Sequence, residues 1–274
     1  ASSAQARFGA RDPANCTGQV AVGMFLAALA FITLPVPALG LRLLSNGIAS
    51  HAAPVADELD VQASDLLIER DVYYVMVMEG RPLQKADIFY HGSNSTRGAV
   101  VVLHGEEGDK SREGRFAQKI ASWGYVVMVV NYRTHEDVLL AVNWLRLHAN
   151  IYRLDPARVG LYGYSAGARL ATRAAFSAKE PIEAVIAVAG ARGQDASFAQ
   201  PGGPPFLIVH SSDDSVIPCS EAQELQKGLA KRSISVDLLL YPGGGHRPRS
   251  YEPDNFNTRL EVFLGRTLGP AMPT

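Results

Sequence analysis

The chain has 274 residues, 26 Lys and Arg against 27 Asp and Glu, a formal net charge of -1 and 47% hydrophobic residues. That is enough chain for one sizeable α/β domain with an extension, and the near-neutral balance offers no general attraction for nucleic acid or an anionic membrane surface. Two cysteines, Cys16 and Cys219, exclude a disulfide-rich scaffold, and Cys219 reads as a small buried side chain with no internal disulfide.

At the N-terminus, Arg7 and Arg11 precede an uncharged apolar span from Val20 to Leu41, which contains Pro35-Val36-Pro37-Ala38-Leu39-Gly40. Basic, then apolar, then small residues is the layout of a secretory signal. The span is also long enough to stay as a membrane anchor. Few acids before Glu58 leave an organelle transit peptide as a third reading. Residues 1–44 are therefore set apart as a signal peptide or membrane anchor, with membrane attachment through residues 20–41, and export to a secreted or periplasmic place is expected. Polarity rises without a period over residues 45–70, which read as a linker, and residues 71–274 form the expected catalytic domain.

The expected strands begin with Val72–Val77 and Asp87–Tyr90, whose alternation suits an antiparallel pair at a sheet edge. Strand and helix units follow: strand Gly98–His104, helix Arg112–Trp123, strand Tyr125–Asn131, helix Glu136–Asn150, strand Arg158–Tyr162 and helix Ser165–Ser177. Strands Ile182–Ala189 and Phe206–His210, helix Ser220–Arg232, strand Val236–Tyr241 and a helix near Pro253–Leu264 complete the pattern. Continuous apolar strands alternating with helices predict an α/β fold, a mostly parallel twisted sheet covered on both faces. About sixteen Gly- and Pro-rich residues separate Ala189 from Phe206, too few for a large lid domain, so an open, shallow cleft is expected.

Gly163-Tyr164-Ser165-Ala166-Gly167 lies between an apolar run, Val159–Tyr162, and a helical stretch. In that context G-x-S-x-G reads as a nucleophile elbow, where a tight, strained turn lifts the serine off the sheet. Two later strands end in polar turns. Phe206–His210 leads into Ser211-Ser212-Asp213-Asp214, and Leu238–Tyr241 leads into Pro242-Gly243-Gly244-Gly245-His246. The order Ser, Asp, His at strand ends brings a nucleophile, a carboxylate and a base to one edge of a parallel sheet.

With these motifs, and with Val100-Val101-Val102-Leu103-His104-Gly105, Trp123-Gly124-Tyr125 and Leu154-Asp155-Pro156-Ala157-Arg158-Val159-Gly160, the chain resembles the α/β-hydrolase superfamily from roughly Asp71 to Leu268. Within it, the chain is similar to small lidless esterases of the dienelactone hydrolase and acetylxylan or feruloyl esterase kind. The resemblance implies a serine carboxylesterase acting on short-chain acyl esters, small-molecule or carbohydrate-linked, through an acyl-enzyme and without a cofactor. Ser165 is then the nucleophile and His246 the base. Asp213 and Asp214 compete for the third place, and alignment with similar esterases favours Asp214 before Ser215-Val216-Ile217-Pro218, leaving Asp213 as a solvated turn residue or a helix cap. The oxyanion donors expected are the amides of Ala166 and Glu106.

At the second donor the chain departs from glycine-rich relatives, carrying His104-Gly105-Glu106-Glu107-Gly108 where they have H-G-G-G. His104 reads as a structural hydrogen-bonder. His91, His135, His148 and His210 show no metal-ligand spacing, so no metal is expected. Two alternatives remain: an exopeptidase or acyl-aminoacyl hydrolase of the same fold, and a catalytically silent interaction protein that keeps the fold for partner binding.

Overall fold

The computed structural model describes residues 66–75, 83–92, 97–106 and 108–269. Residues 1–44, expected to be a signal peptide or membrane anchor, and nearly all of the expected linker lie outside the described residues, as does Glu107.

Eight described strands form one sheet: β1 (Leu66–Val75), β2 (Gln84–His91), β3 (Arg97–Leu103), β4 (Val126–Val130), β5 (Leu154–Tyr164), β6 (Ala184–Val188), β7 (Phe206–Ser211) and β8 (Val236–Tyr241). Their order is β1-β2-β4-β3-β5-β6-β7-β8. β2 runs antiparallel to β1 and β4, and every other pairing is parallel. This is the mostly parallel sheet with an antiparallel N-terminal pair that the sequence predicts. β1 starts at Leu66 rather than Val72, because a register shift between Glu69 and Val72 lets the polar stretch before Val72 continue the pairing with β2.

Alternation along the central strands separates two cores. Val101, Leu103, Met128 and Leu161 face α2 (His135–Leu147), α4 (Ala166–Ser177) and α5 (Cys219–Ala230), while Val100, Val102, Val127 and Val129 face α1 (Gly114–Ser122) and α6 (Pro253–Leu268). Residues at i and i+2 share a face of a strand, so one valine-rich run supplies both sides.

The helix expected over Glu136–Asn150 is broken at His148 into α2 and the short α3 (Ala149–Tyr152). His148 stacks on Trp144 at 3.8 Å and its Nδ1 lies 2.7 Å from the Trp144 carbonyl, a side-chain bond that competes with continuation of the helix. Cys219 opens α5 and is buried, as expected.

Chain winding reverses around β3, which sits between β4 and β5 although β4 follows it in sequence. Leu103 at the end of β3 pairs with Gly163 near the end of β5. The crevice outside the carboxyl ends of strands at such a reversal is where open α/β sheets take ligands. Among the described residues no helix is long and apolar enough to cross a membrane. The connection between β6 and β7 holds a single short 3-10 turn, Gly193–Phe198.

Candidate active site

Ser165 occupies the turn between β5 and α4 with φ 53° and ψ -118°. A non-glycine residue at positive φ is strained, by roughly 1–3 kcal/mol, and persists only where its neighbours leave no alternative. Here the Ser165 N–H donates to the Val188 carbonyl at 2.8 Å, and its own carbonyl accepts from Ala168 at 3.0 Å. The flanking glycines are required by close approach. A Cβ on Gly163 would lie 2.3 Å from the Gly167 carbonyl carbon, and one on Gly167 would lie 2.4 Å from the His104 oxygen.

The Ser165 hydroxyl meets His246 Nε2 at 2.9 Å, and His246 Nδ1 meets Asp214 Oδ2 at 2.8 Å. The structure thus brings Ser165, His246 and Asp214 into one continuous chain of contacts, although they lie on three separate strand ends. With His246 carrying its proton on Nδ1, the Asp214 carboxylate accepts it and Nε2 is free to accept from the serine. The His246 ring is about one-fifth exposed, while the Asp214 side chain is fully buried.

Asp214 Oδ1 accepts the Val216 and Ile217 amides at 2.8 and 3.0 Å, which curls the turn after β7 around the carboxylate. Burial works to raise its pKa. It is outweighed by hydrogen bonds from His210, the Ile217 amide, His246 and the Val216 amide, which hold the carboxyl well below the usual carboxylate range. Asp213 is exposed and stays outside this contact. Its Oδ1 accepts the Gly245 amide at 2.9 Å, one residue before His246, so it grips the histidine loop instead of capping α5.

Ala166 is the first residue of α4, so its N–H has no partner within the helix and sits at the positive end of the dipole. The His104–Glu106 turn packs on the same point: a Cβ on Gly105 would lie 3.5 Å from the Ser165 Cβ. Glu106 is exposed; the pKa of the half-buried Tyr132 phenol is raised chiefly by burial, with the charges of Glu113 and Glu106 adding to it. His104 stacks on Tyr132 at 4.5 Å, with Nδ1 at 2.6 Å from the Gly105 carbonyl, and the Tyr132 hydroxyl donates to the His104 carbonyl. His104 thereby braces the turn.

Several residues that build this site were not singled out from sequence. The Tyr164 hydroxyl donates to the His246 carbonyl at 2.9 Å, and burial pushes its pKa up, so it remains a donor at neutral pH. Arg249, three residues after the histidine, pairs with the buried Glu113 at 2.8 Å and reaches the Tyr162 hydroxyl at 3.0 Å. That buried pair ties the histidine loop to the turn before α1. Neither pairing has a local signal, because 136 residues separate Arg249 from Glu113. His210 contacts Asp214 directly, and its position immediately before the acidic turn was the available sign. A groove of about 420 Å³ runs along β8 and α6, lined by Leu207, Val236, Leu238 and Phe263, and includes none of Ser165, Asp214 or His246.

A BD-FAE family model matches residues 86–194, and a Phospholipase/Carboxylesterase model matches residues 142–261. Esterase LipC of Mycobacterium tuberculosis is 24% identical over 229 residues, covering 60% of this chain and 57% of that protein. The chain therefore spans little more than half the length of this curated relative. Among solved structures, the butyrate-bound esterase 2 of Thermogutta terrifontis is similar with a TM-score of 0.66 at 17% identity, covering 78% of this chain and 98% of that one. The same esterase is also known phosphorylated by paraoxon. An acetyl ester-xyloside bifunctional hydrolase from Caldicellulosiruptor lactoaceticus gives a TM-score of 0.65 at 15% identity, covering 72% and 95%. At these identities the structural likeness establishes the shared fold.

Proposed function

We propose that the chain, which matches BD-FAE and Phospholipase/Carboxylesterase family models over parts of its length and shares the fold of solved esterases, is a serine carboxylesterase cleaving short-chain acyl esters through an acyl-enzyme on Ser165. The observation that carries this reading is the unbroken relay Ser165 Oγ, His246 Nε2, His246 Nδ1, Asp214 Oδ2, with contacts of 2.9 and 2.8 Å. A neutral serine hydroxyl is a weak nucleophile, and a neighbouring imidazole that accepts its proton removes that barrier. Ser165 Oγ would bond to the ester carbonyl carbon as its proton moves to His246 Nε2. The oxyanion so formed would be met by the Ala166 amide, with the Glu106 amide as second donor. His246 would then return the proton to the leaving alcohol, and water activated by the same histidine would release the acid. Asp214, held anionic, keeps His246 in the tautomer that leaves Nε2 open and stabilises the imidazolium.

Small-molecule or carbohydrate-linked esters are the substrates this reading favours. The support is a short β6–β7 connection with no cap, together with structural neighbours described as a butyrate-bound esterase and as an acetyl ester-xyloside bifunctional hydrolase. The reading includes export through the apolar span 20–41, which fractionation of the tagged chain would test. A fluorophosphonate probe should label the wild type and fail on Ser165→Ala. Folded wild type that stays unlabelled would sink the proposal, and aminoacyl p-nitroanilides cleaved faster than p-nitrophenyl butyrate would move the reading to a peptidase.

A further inference from the structure

Asp214 Oδ2 has two imidazoles on it. His246 Nδ1 approaches at 2.8 Å from the site, and His210 Nε2 approaches at 3.3 Å from the end of β7. His210 is completely buried, and the same Nε2 lies 2.9 Å from the Ile217 carbonyl. Both neighbours of that nitrogen are acceptors, so it carries the ring's proton. His210 Nδ1 has no hydrogen-bond partner among the described residues, so the ring is held from the Asp214 side alone.

Resting on the esterase reading, we infer that His210 is a positioning residue that shares Asp214 Oδ2 with His246 and thereby sets how basic His246 is. The other oxygen, Oδ1, is already taken by the Val216 and Ile217 amides. Each charge-assisted donor draws on the carboxylate's negative charge, so a second donor on Oδ2 weakens its pull on the His246 Nδ1–H. An aspartate that served His246 alone would stabilise the imidazolium more and make it slower to return its proton to the leaving alcohol. Bridging Oδ2 to Ile217 also closes the 214–217 turn from beneath. Charged and titratable groups around the pair include Tyr164, whose ring lies 5.6 Å from that of His246 and whose phenol senses Asp214, with Arg247 and Arg249 beside Tyr164. The exposed Asp213 faces the Gly245 amide.

The test is the pH profile of kcat/KM for p-nitrophenyl butyrate in wild type, His210→Gln and His210→Leu. Glutamine can place an N–H near the position of Nε2, and leucine cannot. In His210→Leu the acid limb should move to higher pH by about half a unit or more, with kcat falling roughly three- to tenfold and KM within about twofold. His210→Gln should bring the limb most of the way back. An unmoved limb in folded His210→Leu, or a shift to lower pH, would overturn the inference.

If His210→Leu does not fold, ¹⁵N NMR of the histidines in the wild type decides: neutral His210 should be the Nε2–H tautomer, and a neutral Nδ1–H ring would overturn the inference. If the wild type hydrolyses no ester, the esterase reading fails separately. NMR titration of His246 in His210→Leu then tests the shared oxygen, with an unchanged or lowered His246 pKa counting against it.

Discussion

The Gly245 amide donates to Asp213 Oδ1 at 2.9 Å, directly beside the 2.8 Å contact between His246 and Asp214. Two adjacent aspartates thus hold two adjacent residues of the glycine-rich loop, one by its backbone and one by its imidazole. The first bond lies at the surface and needs only an oxygen acceptor. Asp213→Asn should therefore stay within about twofold of wild-type kcat/KM. Asp213→Ala, which forfeits a bond worth about 1 kcal/mol, should lose roughly fivefold. Steady-state kinetics on p-nitrophenyl butyrate checks both.

Asp214→Asn should behave very differently. The amide's NH₂ facing His246 would favour the wrong imidazole tautomer, and kcat should fall on the order of 10⁴-fold while the far-ultraviolet circular dichroism stays unchanged. A larger loss in Asp213→Asn than in Asp214→Asn would reverse the two roles.

Acid stability follows from the same carboxylate. Its folded pKa lies below the ordinary value of about 3.9, so the stabilisation it contributes is fully present above about pH 5. That contribution is lost as pH falls below about 4 toward the folded pKa. Thermal melts should show the wild-type Tm falling more steeply than that of Asp214→Asn between about pH 5 and pH 2. Parallel curves would mean that Asp214 is not stabilised as a carboxylate.

The β6–β7 connection holds only a short 3-10 turn, and the open cleft expected from it would limit how much of an acyl chain can leave water. Each buried methylene contributes about 0.8 kcal/mol, so the gain should stop after the first few carbons. Acetyl to butyryl p-nitrophenyl esters should give the highest kcat/KM, with a decline at octanoyl. A maximum at octanoyl or beyond would indicate a deep acyl pocket.

Glu106 lies exposed on the turn packed against Ser165. Its charge should disfavour anionic substrates, so Glu106→Gln should raise kcat/KM for a carboxylate-bearing ester more than for its neutral analogue. The difference should shrink as salt is added. Equal gains on the two substrates would show that this carboxylate does not sense substrate charge.

The sequence by itself determined the order of strands and helices, because each is written in short-range terms. β8 over Val236–Tyr241 and the start of α4 after Ser165 follow from apolar runs bounded by turn residues. The elbow at Ser165 was equally legible, since steric exclusion at Gly163 and Gly167 leaves a fixed local spacing. What only the tertiary structure decided is how residues far apart in sequence meet. The partnership of Arg249 with Glu113, the two histidines on one oxygen of Asp214 and the grip of Asp213 on Gly245 all arise where separate strand ends converge. Hydrophobic periodicity fixes which face of a strand is buried, but it carries no information on which buried polar groups will be near enough to share a proton. That depends on the sheet order and register that bring the ends of β5 and β7 and the loop after β8 to the same edge of the sheet.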